Sequence, residues 1–557
     1  MGGRYMIKGF PSTMNDEWQL NLWKVIQYAA RVHGSTEVVS YRTLQGGQVH
    51  RLNYRSIYER VSAMANALKK LGVEPGDRIA VLGWNDHRYY ESYFSIPGIG
   101  AVMLQLNLRL HPSDLIDILD HSGARALFVD DTLLKLAEEL AKYHKFDFFI
   151  VMSDKPLSQI STSLSPVYGY EELIAQNPKA YDWEEIDEKS AATACYTSGT
   201  TGKPKGVYYS HRALILHGWS ISNVLKLDVS DVFLAIVPLF HANGWGAPIA
   251  ATMIGGKQVY PGRYTPESLV EIMIKEKVTV TAGAPAIFMP ILEVLRKMEP
   301  KPKLNVRGIS GASEPPLAMM KGLAEFGIKM AHAYGATETT PLVTANLPKP
   351  EIKALPEEEQ WDYMRKQGLP VFGIEAKLVD LASGKELPWD GRSVGELYVR
   401  GPWVIKEYYN DPRTGEAITP DKYWKTGDVG YIDELGYLKL VDRAKDLIKS
   451  GGEWISSVDM ENYLMAHPYV LEATVVGIPH PRWEERPLAL VVLREEYRDK
   501  PAEEVERELK EYLSKRFAKW QLPDKILFVR EIPKTSVGKF DKKVIREQYK
   551  DLYMRQH

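Results

Sequence analysis

Tyr196-Thr197-Ser198-Gly199-Thr200-Thr201-Gly202-Lys203-Pro204-Lys205-Gly206 is the stretch from which the rest of the chain can be read. It follows a short strand-like run and precedes a helix-like segment that begins at His211. Its glycines free backbone N–H groups to point inward, its hydroxyls donate further hydrogen bonds, and its lysines add positive charge. Together these make a phosphate cradle. It is not the Walker pattern, because no Lys-Ser or Lys-Thr pair follows a Gly-x-x-x-x-Gly frame. Taken alone, such a run is as readily a flexible surface loop, so its meaning depends on what stands elsewhere.

At 557 residues the chain is long enough for more than one hydrophobic core, since single cores stop growing near ~250–300 residues. A net charge of −2 gives no basic footprint for nucleic acid and no polybasic patch for a membrane surface. The single cysteine, Cys195, excludes an intramolecular disulfide. It lies inside the apolar run Ala191 to Tyr196, where a packed thiol is expected rather than a nucleophile. No apolar run approaches the ~20 residues of a membrane span, and the first residues lack an apolar signal core. These features make a cytoplasmic protein the expectation.

Upstream of the cradle, helical and strand-like segments alternate. Ile57, Val61, Met64 and Leu68 repeat at helical spacing, and Ile79 to Gly83 reads as a buried strand. A helix (87 to 99), a strand (101 to 106), a helix (113 to 121) and a strand (126 to 129) follow. This rhythm predicts an α/β fold with a parallel sheet covered on both faces. Glu37 to Tyr41 and Val49 to Tyr54 are expected to form a hairpin around Gly46-Gly47. From about residue 395 the texture becomes β-rich and antiparallel. A smaller α+β unit then carries a hairpin across Lys449 to Glu453, a helix at 458 to 466, strands at 473 to 478 and 488 to 493, and an amphipathic helix bearing Val505, Leu509, Leu513 and Phe517. Pro348 to Gln360 reads as an exposed loop. The expected division is a large unit over 1–441, a hinge at 442–446 and a mobile C-terminal unit over 447–557.

Further motifs give the cradle company. In Ala333-Tyr334-Gly335-Ala336-Thr337-Glu338 an aromatic face, an open backbone and a hard oxygen ligand are neighbours. Asp428, in Tyr423-Trp424-Lys425-Thr426-Gly427-Asp428, offers two acceptor oxygens and no donor, which suits a ribose diol. Lys539 stands just past Gly538 near the C-terminus, and an ammonium aimed at a reacting phosphate would stabilise the transition state more than the ground state. Each motif alone reads as a turn, a charged hairpin or a solvated tail. Together, in this order, they resemble the adenylate-forming superfamily, and the resemblance covers nearly the whole chain. Among its members the sequence looks closest to medium- and long-chain fatty-acyl-CoA synthetases, through Val237 to Trp245, Phe10 to Met14 and Phe517 to Pro523.

The resemblance implies ATP, Mg²⁺ and coenzyme A as the small molecules handled, with a fatty acid as the carboxylic substrate. It assigns Thr197, Ser198, Gly199, Thr200, Thr201, Gly202 and Lys203 to the phosphates, and Glu338 with Thr197 to Mg²⁺. Tyr334 would stack on adenine, beside His332, Ala333 and the segment Gly311, Ala312 and Ser313, and Thr337 would reach a phosphate. Asp428 and Arg443 would hold the ribose, Lys445 would be the pivot, and Lys449 and Trp454 would meet the nucleotide when the small unit closes. Gly451-Gly452 would line the thiol tunnel. Lys539 would be the adenylation lysine. His241, Ala242, Trp245 and Ala333 would surround the acid, with Trp245 either gating an acyl tunnel or packing a strand end. Two features bear on the acid. Ala333 stands where the family usually has glycine, and Tyr334 stands where acetate-type enzymes typically carry Trp. The alternatives are an enzyme for a short, branched or aromatic acid, a carrier-loading adenylation enzyme, and a nucleotide-binding regulator that kept the fold. Relatives form dimers, so a homodimer is also an expectation.

Overall fold

The computed structural model describes residues 6–197, 203–451, 453–535 and 538–556, the side chains of Trp454 and Gln556 aside. Among these residues the strands form four sheets. The first runs in the order Val167–Gly169, Phe148–Met152, Ala126–Asp130, Arg78–Leu82, Val102–Gln105, Ala191–Tyr196, Gly206–Ser210. Helices return the chain between its strands, so all neighbours pair in parallel except the last two, which form a hairpin closed by the Gly/Thr loop. The second, nine-stranded sheet runs from Leu369–Pro370 at one edge to Val49–Asn53 at the other. Its inner strands include Ile328–Gly335 and Val306–Ser310, paired in parallel. The expected hairpin forms its edge: Glu37–Tyr41 pairs antiparallel with Val49–Asn53. Its turn passes through Gly46, whose φ of 74° is the left-handed value glycine tolerates best.

Between the two sheets lies the largest core. Leu22, Ile57, Tyr93, Leu214 and Ile249 on helices meet Ile79 and Phe128 from the first sheet and Val38 and Val280 from the second. The helix His87–Gly98 is buried along its whole length. Polar links cross this core as well. Arg42, at the end of a second-sheet strand, pairs with Asp86 and, at 2.7 Å, with Asp130 at the end of a first-sheet strand, and all three are almost wholly buried. Losing one member of such a buried cluster costs about 3–5 kcal/mol, because the others are left uncompensated.

The third sheet is antiparallel, in the order Glu386–Leu387, Glu375–Val379, Gly395–Arg400, Trp424–Ile432, Leu438–Arg443. The next strand, Ile448–Ser450, belongs to a separate sheet with Glu453–Ile455, Glu484–Leu493 and Val470–His480, on which Lys525–Phe528 pairs in parallel. The helix Ser457–Met465 packs on this sheet, and Ala502–Ser514 buries Val505, Leu509 and Leu513 against it. Phe517 falls beyond that helix yet packs on the same core. The molecule is therefore mixed α/β, with a large N-terminal body and a smaller C-terminal one.

The expectation of a loop over Pro348 to Gln360 is corrected: Pro350–Lys353 and Glu357–Met364 are helical. Pro350 and Pro356 sit at helix starts, where the missing N–H costs nothing, and three glutamates occupy the first turn of the second helix, where carboxylates are favoured.

Candidate functional site

The strand Ile328–Gly335 delivers Tyr334 at its end and then breaks, with a register shift between Tyr334 and Gly335. Gly335 must lack a side chain, because a Cβ there would fall 1.8 Å from the Pro341 carbonyl oxygen. The chain turns through the short helix Thr337–Thr339, which lifts Glu338 beside the strand end. The Tyr334 hydroxyl donates to Asp428 Oδ2, and Arg443 lies 3.0 Å from Asp428 Oδ1. Asp428 and Arg443 are cross-strand partners in the third sheet, so their separation is set by register. A carboxylate offers about four acceptor sites; two are used here, and two remain for a diol.

Lys539 reaches this point from the C-terminal body. Its backbone closes a tight turn, with Thr535 N–H donating to the Lys539 carbonyl at 2.7 Å. Crowding by protein, then repulsion from Arg443, lowers its ammonium pKa, while Asp428 and Glu338 partly offset this. The side chain keeps solvent access although neighbouring protein crowds it. Burial raises the Glu338 carboxyl above its ordinary value, and a hydrogen bond from the Tyr408 hydroxyl at 2.8 Å opposes that shift.

Ser198, Gly199, Thr200, Thr201 and Gly202 lie outside the described residues. The ends of their loop are fixed: Thr197 N–H donates to the Lys205 carbonyl at 2.8 Å, and the Lys203 carbonyl accepts from Arg413 at 2.8 Å. Here the structure adds residues that sequence reasoning missed. The segment from Trp403 to Arg413 braces both nucleotide motifs. Ile405 N–H donates to the Glu338 carbonyl (3.0 Å) and Tyr409 N–H to the Gly206 carbonyl (3.0 Å), while on the strand Gly206–Ser210 the Tyr209 hydroxyl ties down the Thr337 carbonyl (2.6 Å). Nothing in Lys406-Glu407-Tyr408-Tyr409 signals this, because the contacts join positions far apart in the chain.

At the acid end, Ala242, Asn243, Gly244, Trp245 and Gly246 all have positive φ, from 41° to 73°. Each non-glycine residue held there costs roughly 1–2 kcal/mol. The turn is pinned by Asn243 Oδ1, which accepts from Gln105 Nε2 (2.7 Å) and Thr193 Oγ1 (2.6 Å). Trp245 is half-buried and lies against Gly311, where a Cβ would come within 3.3 Å of the indole and 2.9 Å of the Ala333 carbonyl oxygen. Ala312 (φ 70°) and Ser313 turn outward from that point and are exposed. Ala333 is buried. His332, on the same strand, is buried with Nδ1 3.0 Å from the Arg365 carbonyl. His241 is held neutral to about pH 4 by burial, then by Arg109 and Lys539, so it can donate a hydrogen bond without adding charge.

The structure thus brings Tyr334, Glu338, Asp428, Arg443, Lys539 and His241 together. Lys449 lies elsewhere, 3.8 Å from Glu484 on the C-terminal body. Lys445 is exposed, and crowding lowers its pKa. The Trp454 side chain and Gly452 lie outside the described residues. Cys195 is a packed thiol, pushed up to about 12 by burial.

One further cluster joins the two bodies. Glu314, just after the Gly311 segment, accepts from Lys439 and from Asn462 on the helix Ser457–Met465. Arg365 lies 3.6 Å from Glu314 and 3.0 Å from Asp459, which belongs to the same helix as Asn462.

Among the described residues no group of three or more His, Cys, Asp or Glu could hold a metal by itself. Glu338 and the Thr197 hydroxyl are hard-oxygen donors, the kind that suits a Mg²⁺ whose other ligands come from phosphate and water. No described helix is long and apolar enough to cross a membrane.

The AMP-binding enzyme model matches residues 26–409, and the AMP-binding enzyme C-terminal domain model matches 459–539. A long-chain-fatty-acid–CoA ligase of Thermus thermophilus is 44% identical, covering 98% of this chain and 98% of its own. A 3-methylmercaptopropionyl-CoA ligase of Ruegeria lacuscaerulensis is 40% identical over 95% and 97%, and a medium-chain-fatty-acid–CoA ligase of Ectopseudomonas oleovorans 37% over 96% and 97%. The crystal structure of the anthranilate CoA ligase AuaEII with anthranoyl-AMP superposes with a TM-score of 0.84 at 25% identity, covering 96% and 98%. The chain belongs to the AMP-binding enzyme family.

Proposed function

We propose that the protein is an AMP-forming acyl-CoA synthetase acting on medium- to long-chain fatty acids. The observation that carries this reading is the meeting of Lys539, from one body, with Glu338, Asp428 and Arg443 from the other. A carboxylate attacks the α-phosphate of ATP, pyrophosphate leaves, and an acyl-adenylate remains. The thiol of coenzyme A then attacks the acyl carbonyl and AMP departs. Asp428 holds the ribose and Tyr334 the base. Lys539 compensates charge gathering on the reacting phosphate, and neutral His241 steers the carboxylate. Mg²⁺, when held by Glu338 and Thr197, would neutralise the departing pyrophosphate. Thr337 and the Gly/Thr loop, including Lys203, bind the phosphates.

In this reading residues 442–446 are a hinge, and residues 447–557 turn after adenylation to bring Lys449, Trp454 and Gly451 to the site. A homodimer is part of the proposal, supported by the exposed apolar residues Met6, Ile7, Phe10, Met14 and Trp18 along one segment. So is a reducing compartment such as the cytoplasm, supported by the lone buried thiol.

The test is pyrophosphate exchange into ATP across straight-chain acids of graded length, with coenzyme A thioester measured alongside. Exchange and thioester that rise together and peak at medium or long chains are expected. Adenylate without thioester would indicate carrier loading, and a peak at short or sulfur-bearing acids would replace the fatty acid. Trp245→Ala is expected to move the chain-length optimum while leaving ATP affinity in place. An unmoved optimum would return Trp245 to a packing role.

A further inference from the structure

We propose that Tyr408 is a positioning residue for the adenylation half-reaction, its hydroxyl orienting the Glu338 carboxylate and its ring seating the Lys205 ammonium. The proposal rests on the reading above, in which Glu338 is a Mg²⁺ ligand. Tyr408 is 3% exposed and belongs to the segment that braces both nucleotide motifs. Its hydroxyl lies between two partners of opposite kind. Trp424 Nε1, 3.2 Å away, can only donate, and Glu338 Oε2, 2.8 Å away, accepts. The proton order is therefore fixed: indole N–H to phenol oxygen, phenol O–H to carboxylate. Trp424 is itself buried in the third sheet, at a strand start set by register with Val399.

This chain of hydrogen bonds holds the Oε2 oxygen of Glu338. A ligating carboxylate fixed in this way loses less rotational freedom when it takes a metal, which is the usual work of outer hydrogen-bond partners. On the ring's face stands the Lys205 ammonium, 4.7 Å from the centroid. A cation over a tyrosine ring is held without an anion pairing it, so Lys205 stays available to the phosphates next to its loop. One side chain thus sets the spacing between a metal-binding anion and a phosphate-loop cation.

Tyr408→Phe separates the two parts, keeping the ring and deleting the hydroxyl. The expected result is a rise of about tenfold in the Mg²⁺ concentration giving half-maximal pyrophosphate exchange. Calorimetric binding of ATP with Mg²⁺, measured without any acid, should weaken by a similar factor. Binding of ATP in EDTA should stay as in the wild type, and the melting temperature should fall by only a few degrees, the cost of leaving the buried Trp424 N–H without its acceptor. Glu338→Gln serves as the reference. If it shifts the Mg²⁺ requirement and Tyr408→Phe does not, the Tyr408 proposal is overturned while the metal assignment stands. If Glu338→Gln leaves the requirement unmoved, the metal assignment falls and this proposal with it. A Tyr408→Phe protein whose exchange rate drops at every Mg²⁺ concentration alike, in step with a much lower melting temperature, would show a packing role only.

Discussion

Lys539 shows what a single side chain can be asked to do. It sits on a turn of the C-terminal body and is close enough to Asp428, Glu338 and His241 to alter or answer their charge. If it compensates the reacting phosphate, Lys539→Ala should lower acid-dependent pyrophosphate exchange by about 100-fold or more, the scale of one lost oxyanion-type contact. Thioester formation from supplied acyl-adenylate should change by no more than a few-fold. Equal losses in the two assays would show the lysine to be structural or misassigned. Lys539, Glu338 and Asp428 could be singled out from the sequence because each stands in a compact string of glycine, hydroxyl and charge. Tyr408, Gln105 and Asn243 were not. Each acts through partners between 16 and 138 positions away, and no local pattern announces a contact that only the fold creates.

At the scale of an element, the helix His211–Val224 carries two imidazoles that must stay neutral. His211 Nδ1 accepts from Leu22 N–H and His217 Nε2 from Leu342 N–H, each at 3.2 Å. A protonated ring could do neither. Burial lowers their pKa values to about 4 and about 3. Between those values and the ordinary 6.5, the unfolded chain binds protons that the folded one refuses, so stability should rise with pH across that window and be lost as pH falls through it. The melting temperature should drop from pH 6.5 toward pH 4, and His211→Asn, which keeps an acceptor but cannot titrate, should flatten the slope. An identical slope in the variant would place the acid sensitivity elsewhere. Element boundaries were well legible where apolar periodicity was strong, as at Tyr54–Lys70 and Arg78–Leu82. The segment after Pro348 misled because its helices bury little: Glu357–Met364 buries no residue fully, so capping and charge hold it and there is no apolar stripe to read.

Across the whole molecule, the proposed reaction needs two arrangements of the bodies, and in this one Lys539 lies near Asp428 and Glu338. Part of what holds it is the contact of Asp459 and Asn462 with Glu314, Lys439 and Arg365. Asp459→Asn keeps the shape and removes the charge. It should lower pyrophosphate exchange by about 3- to 10-fold, as expected for a charged contact worth about 1 kcal/mol, and leave or raise thioester formation from supplied adenylate. A fall in both rates would mean that the helix simply loosened. The alternating α/β plan was readable from sequence, whereas the docking of the bodies was not, since it rests on polar side chains whose partners belong to other elements.

That same cluster has a thermodynamic side. Two carboxylates face two cations across it, and the plane of separation leaves Glu314, Lys439 and Arg365 on one piece and Asp459 on the other. Parting them exposes a net positive and a net negative to solvent, where dissolved electrolyte screens each far better than it screens the buried contact, the Debye length being ~10 Å at 0.1 M. Ionic strength should therefore act as a dial on the enzyme's timing, with brine favouring the later half of the cycle and dilute buffer the earlier.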